Sequence, residues 1–241
     1  MRELGTFLKY CASIVRGAVA IYLSQTLIDS PLKPHLGFIS KMKEAVAYLL
    51  EKEAVFTQIS QQYGVPVQPK RPQGFETLVL LILEQQVSID SAKATFKKLK
   101  NAIPVFSMED VLAFPEENFR TCGVSRQKTK YIKALSEAIL SEQIDLDSLA
   151  FKNPDLVREE LIRIKGIGNW TIDVYLMFCL NSLDIITLGD IAVVNTMKEL
   201  FDIHTKEEME IYAQNWKPYR SVATYFLWHY YLQKRGRKIV Y

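Results

Sequence analysis

The sequence predicts an all-α protein, and three observations carry that expectation. Apolar residues recur at three- and four-residue spacing through most of the 241 residues, the period of a helix face rather than of a strand. Residues that cap helices stand in front of several of these runs, notably Ser107, Ser125 and Asn153. The intervening segments are short and offer too little apolar–polar alternation to build a sheet.

In chain order, residues 4–27 place Leu4, Phe7, Leu8, Cys11, Ile14, Val15, Ala18, Tyr22 and Leu23 on a helical period broken by Lys9 and Arg16. A membrane span needs about 20 apolar residues, so a packed or peripheral helix is preferred to an anchor. Residues 1–35 are read as an N-terminal helical extension whose role stays open. Pro31 and Pro34 end it, and 38–61 resumes a helical pattern through Met42, Ala45, Val46, Leu49 and Leu50. Residues 63–74 hold Pro66, Pro69, Pro72 and two glycines, a connector. Helices are then expected at 75–87, 89–100, 108–113, 115–120, 125–141, 145–149 and 153–164, with another from Asn169. Residues 36–241 make up the core domain.

With 49% hydrophobic and 24% charged residues the composition is ordinary for a globular chain. A formal charge of +3 does not by itself call for a polyanionic partner; the distribution says more. Between Glu117 and Glu137 stand Arg120, Arg126, Lys128, Lys130 and Lys133 with no acid among them, Lys93, Lys97, Lys98 and Lys100 crowd another helix, and 234–238 is a basic tail. Such runs are most often solvated faces and become phosphate contacts only beside a phosphate site. Cys11, Cys122 and Cys179 are far apart with no metal-ligand spacing, which argues against a disulfide framework or zinc site and for reduced thiols inside a cell.

The stretch 161–190 concentrates the chemistry. Gly166-Ile167-Gly168 is a turn in which both glycines can take positive φ without strain. The N–H groups of Gly166, Gly168 and Asn169 would then be free at a helix start, a site for one backbone phosphate that reads no base. On the glycines alone a plain tight corner is the better reading. Beyond them come Trp170-Thr171, an apolar helix through 174–178, a loop at 181–188, and Gly189-Asp190 before Ile191.

These residues resemble the helix-hairpin-helix (HhH-GPD) DNA glycosylase superfamily, in its 3-methyladenine DNA glycosylase II (AlkA-like) branch. Three more segments share the resemblance in order: Gln85-Gln86-Val87-Ser88 in the turn after the first buried helix, Gly123-Val124-Ser125-Arg126-Gln127-Lys128 before a helix, and Trp216-Lys217-Pro218-Tyr219-Arg220-Ser221. Together they span about residues 38 to 233. The resemblance implies two helical lobes with a cleft between them and the hairpin at 161–172, without the N-terminal β domain of larger members. No cysteine follows Asp190, so the iron–sulfur cluster of some members is not expected.

What the resemblance implies for the site is specific. Asp190 matches the catalytic carboxylate, although an Asp at a helix start is ordinarily a cap. Trp170 occupies the position of the Schiff-base lysine of bifunctional members, and an indole forms no imine, so a monofunctional hydrolase is expected. Trp228 matches the pocket tryptophan, with pocket and core readings evenly weighed, and Trp170, Tyr175, Asp173 and Tyr225 are further pocket candidates. For Asp173 a salt bridge or solvation is equally open; for the tyrosines, core packing is the competing reading. Gln86 matches the wedge position, or else closes its turn by capping the next helix. Lys165, Arg126 and Lys128 are candidate phosphate contacts beside Gly166, Gly168 and Asn169. The carbonyls of Ile162, Ile164 and Ile167 would hold a Na+ or K+, and no other cofactor is implied.

The expected activity is hydrolysis of the N-glycosidic bond of alkylated purines of the 3-methyladenine type in double-stranded DNA, in base excision repair. Two alternatives stay open: a glycosylase for a deaminated or mismatched base, and a non-catalytic helix-hairpin-helix DNA-binding protein. The expected partner is double-stranded DNA with a damaged base, bound by a monomer away from membranes, in the cytoplasm of a prokaryote or the nucleus of a eukaryote.

Overall fold

The computed structural model describes residues 33–237 apart from Pro104, with side chains from Ser40 onward. Contacts divide the chain into two compact units at 48/49. The helix expected at 4–27, Cys11 and the last residue of the basic tail lie outside the described residues. Within them no strand occurs, in keeping with the all-α expectation, and no helix is long and apolar enough to cross a membrane.

The helices are α1 (Lys33–Lys52), α2 (Ala54–Tyr63), α3 (Phe75–Glu84), α4 (Ile89–Ala102), α5 (Met108–Ala113), α6 (Glu116–Thr121) and α7 (Arg126–Leu140), followed by α8 (Pro154–Leu161), α9 (Asn169–Phe178), α10 (Ile191–Phe201), α11 (Lys206–Ala213) and α12 (Arg220–Gln233). The caps read from the sequence are present: Ser107 accepts from Asp110 N–H at 3.1 Å, Ser125 from Lys128 N–H at 3.3 Å and Asn153 from Leu156 N–H at 2.9 Å. Three expectations change. The single helix at 38–61 is broken at Glu53, whose backbone is extended (φ −136°, ψ 109°). The run at 75–87 stops at Glu84, where the backbone leaves the helix at Gln85 (ψ 120°) and Gln86 takes φ +60°. The segment near 145–149 is one 3-10 turn, Asp147–Phe151.

Helices α3 and α12, like α9, are apolar nearly all round and are therefore buried. On α3, Leu78, Val79, Leu81 and Ile82 have no exposed surface, and α3 packs on α4, α7 and α9. On α12, Val222, Ala223, Phe226 and Leu227 are equally sealed, against α2 and α10. Phe56 of α2 sits 5.1 Å from Phe226 and 5.3 Å from Trp216, and Phe201 is 5.5 Å from Trp216. Each such side chain contributes about 1.5–3 kcal/mol of burial. The tryptophan of the 216–221 segment thus belongs to the core.

The connector before α3 has no regular structure but is stitched to α9. Arg71 N–H donates to the Phe178 carbonyl at 3.1 Å and Gly74 N–H to the Tyr175 hydroxyl at 3.1 Å. That stitching carries the Arg71 side chain to the inner face of α9.

Candidate active site

The site is built from three backbone features: the turn 85–88 after α3, the corner 162–168 between α8 and α9, and the N-terminus of α10. In the corner, Ile164 N–H donates to Leu161 O at 3.1 Å and Ile167 N–H to Ile164 O at 3.0 Å. Gly166 makes the reversal at φ +93°, and a Cβ there would lie 2.0 Å from Tyr131 Cγ, so only glycine fits. Gly168 does not use its freedom to take positive φ. It caps α9 with φ −104° and ψ 176°, ordinary extended backbone, and nothing stands within 4 Å of where a Cβ would be. Its use is openness rather than conformation. The N–H groups of Gly166, Gly168 and Asn169 have no acceptor among the described residues.

Asp190 caps α10 and does more. One carboxylate oxygen accepts from Ala192 N–H at 2.8 Å and Val193 N–H at 3.2 Å, and the other from Trp170 Nε1–H at 3.0 Å. The carboxylate is therefore locked between a helix start and an indole, half-buried. It lines two hollows at once. The first is a groove of about 960 Å³ between the 85–88 turn, Tyr131 and the glycine corner. The second is a pocket of about 220 Å³ walled by Trp170, Val174, Phe178, Trp228 and Tyr231, with Arg71 and Glu84.

Trp228 is 8% exposed, lines the hollow, and stands edge-on to Phe178 (5.7 Å between centroids, 70°). Of the other four pocket candidates Trp170 also lines the hollow, and Asp173, Tyr175 and Tyr225 are corrected. On α9 the i, i+4, i+8 stripe of Trp170, Val174 and Phe178 faces the pocket, so Asp173 and Tyr175 face elsewhere. Tyr175 is fully buried with its hydroxyl on Gly74, and burial pushes its phenol well above the usual range. Asp173 is buried and paired to Arg158 at 2.5 Å; burial raises its carboxyl pKa, against the pull of Arg158. Tyr225, about one turn before Trp228 on α12, is buried and does not line the pocket, its hydroxyl donating to Met177 O at 3.2 Å.

Gln86 is exposed at the rim of the groove, and the capping alternative falls to Ser88, which accepts from Ser91 N–H at 3.3 Å. Lys165 and Arg126 are exposed. Lys128 is corrected: its ammonium turns inward onto the carbonyls of Leu83 (2.7 Å) and Gln85 (2.8 Å), closing the C-terminus of α3, and burial lowers its pKa. Lys133 likewise donates to Leu112 O at 2.8 Å. Two of the five cations between Glu117 and Glu137 are thus spent on helix ends.

Sequence reading missed Gln85, whose amide donates to Gly166 O at 2.8 Å and Thr171 Oγ1 at 3.0 Å, bracing the turn against the corner. It also missed the Arg71–Glu84 pair. Nη1 and Nη2 each reach one Glu84 oxygen at 2.8 Å, the side chains are 8% and 5% exposed, and the guanidinium stands 5.6 Å from the Phe178 centroid. The clue was an acid, Glu84, placed directly after six apolar residues, since a buried carboxylate needs a partner. Among the described residues no group of His, Cys, Asp and Glu is placed to hold a metal ion. Of the three corner carbonyls, that of Ile164 already accepts from Ile167, while those of Ile162 and Ile167 accept no backbone N–H.

Comparison with known proteins points one way. The model of the HhH-GPD superfamily of base excision DNA repair proteins matches residues 79–221. The alkylbase DNA glycosidase-like protein mag2 of Schizosaccharomyces pombe is 37% identical over 116 residues, 46% of this chain, and the chain spans about half (54%) of that protein. DNA-3-methyladenine glycosylase 1 of the same yeast is 29% identical over 167 residues, 66% of this chain and 73% of that one. The solved structure of the S. pombe 3-methyladenine DNA glycosylase Mag1 in complex with abasic DNA superposes with a TM-score of 0.70 at 25% identity, covering 77% of this chain and 95% of that one.

Proposed function

The chain belongs to the HhH-GPD superfamily of base excision DNA repair proteins, and from that premise we propose that it is a monofunctional DNA glycosylase that hydrolyses the N-glycosidic bond of alkylated purines. The observation that carries this reading is the position of Asp190, held on the boundary between an open groove and an aromatic pocket.

In this reading the groove takes the duplex, the free N–H groups of Gly168 and Asn169 take one phosphate at the positive end of α9, and Arg126 and Lys165 add charge at the rim. Gln86 enters the gap left by the everted nucleotide. The base stacks against Trp170 and Trp228, where a cationic alkylpurine gains cation–π attraction. As the bond breaks the sugar takes oxocarbenium character, and the Asp190 carboxylate stabilises that charge and orients water. An N-alkylated purine leaves as a neutral base, so no acid is needed. Trp170 offers no amine, hence no lyase step. A Na+ or K+ held by the carbonyls of Ile162, Ile164 and Ile167 would supply one positive charge against the phosphate.

Asp190→Asn tests the assignment. Asparagine caps helices about as well as aspartate, yet it has one acceptor oxygen for both the α10 N–H groups and the indole. We expect stability to fall by no more than about 1–2 kcal/mol, binding to abasic-site DNA to persist, and base release to drop by about 100-fold or more. Base release that survives in the variant removes Asp190 from the chemistry.

A further inference from the structure

We propose that the buried Arg71–Glu84 pair sets the specificity of the pocket, selecting purine lesions that keep an N–H donor on the outer edge and rejecting those whose exocyclic amine has been closed into a ring. The inference rests on the base-excision reading above.

Apart from this pair, Asp190, the Tyr231 hydroxyl and the Trp228 indole N–H, the pocket wall is apolar, so the pair is the charged feature that an everted base can address away from the sugar. Its orientation is fixed twice. The two 2.8 Å bonds form a fork that a guanidinium and a carboxylate make in one geometry. The Arg71 backbone is pinned to Phe178, itself a pocket wall.

The fork leaves capacity over. A guanidinium has five N–H donors and two are used; each carboxylate oxygen keeps a second lone pair. Glu84 can therefore accept an N–H from a base while Arg71 donates to a ring nitrogen or carbonyl beside it. 3-Methyladenine offers that combination through its amino group and ring nitrogens, and 7-methylguanine through N1–H and O6. A base such as 1,N6-ethenoadenine has no N–H on its outer edge. On entering, it strips water from the carboxylate and returns nothing, the situation in which a polar site discriminates strongly.

The test compares two lesions in one protein. Single-turnover release of 3-methyladenine and 7-methylguanine from methylated duplex DNA, and of 1,N6-ethenoadenine from a duplex oligonucleotide, is measured for the wild type and for the Arg71→Met/Glu84→Leu double variant. Removing both charges together avoids leaving one buried and alone, and apolar replacement of a buried pair is usually tolerated. The wild type should favour the N–H-bearing bases by about tenfold or more, and the ratio should fall by about tenfold in the variant. Should the double variant fail to fold, Glu84→Gln, which keeps the shape and one acceptor, should lower the ratio in the same direction. A purely structural pair would slow all three releases alike and keep the ratio, which overturns the inference, as does a wild type without preference. A wild type that releases none of the three bases overturns the glycosylase reading as well.

Discussion

Alanine at Gly166 and at Gly168 should have opposite consequences although the two residues are separated by one position. At Gly166 the backbone has φ +93°, where a side chain costs about 1–3 kcal/mol. The new Cβ would also lie 2.0, 2.4 and 2.5 Å from Cγ, Cδ1 and Cβ of Tyr131. These are ring and stem atoms that cannot swing aside without moving α7, an overpacking cost of about 1–3 kcal/mol. The sum, about 2–6 kcal/mol, is a large part of the 5–15 kcal/mol a domain holds. At about 2–4 °C per kcal/mol for a chain of this size, the melting temperature should fall by roughly 10 °C. At Gly168 φ is negative and the space open, so the change should stay within about 1 kcal/mol, the cost of a poorer N-cap. Thermal unfolding followed by circular dichroism reads both. Gly166→Ala/Tyr131→Ala should recover the overlap part and leave the backbone part. A Gly166→Ala protein that melts with the wild type, or a Gly168→Ala protein that melts as low as Gly166→Ala, would refute the reasoning.

Arg126 and Lys128, two residues apart, should also separate. Arg126→Gln should reduce the dependence of log DNA affinity on log salt by about one unit at unchanged stability, whereas Lys128→Gln should cost stability through the carbonyls of Leu83 and Gln85. Asp173 should betray its burial in acid. Its pKa is raised in the folded state, so the folded form holds the proton more tightly and the stabilisation is full below the ordinary value of 3.8 and fades as pH rises through the folded one. The stability difference between the wild type and Asp173→Asn should therefore decline on going up in pH from about that value, measured by urea unfolding at a series of pH values; a difference that grows instead contradicts the assignment.

The helices were legible because their signals are local. Ser107, Ser125 and Asn153 announce their helices within three residues, and the structure keeps each cap. The break at Glu53 was not legible, since no proline or glycine marks it and its carboxylate answers to Tyr212, 159 residues away. The same contrast runs through the site. Asp190, Trp170 and the glycine corner lie within one 30-residue stretch and could be found together. Tyr175 and Tyr225 looked equally suitable for the pocket, and only the rotation of α9 and the depth of α12 set them in the core. Arg71 and Glu84 are thirteen residues apart across an irregular connector, so nothing periodic joins them. Lys128 shows the limit of charge counting: a lysine in a basic run counts as surface by default, yet two carbonyls hold this one.

The amide of Gln85 has a mechanical consequence. Its two bonds, to Gly166 O and Thr171 Oγ1, join the 85–88 turn to the glycine corner, and Lys128 fastens the other side of the same turn to α7. Under the glycosylase reading proposed above, anchor and probe are thereby one rigid tool with a fixed spacing. Duplex seated on such a tool must do the deforming itself, so stretches that kink cheaply, as DNA does where pairing is weakened, are the ones that conform to it first.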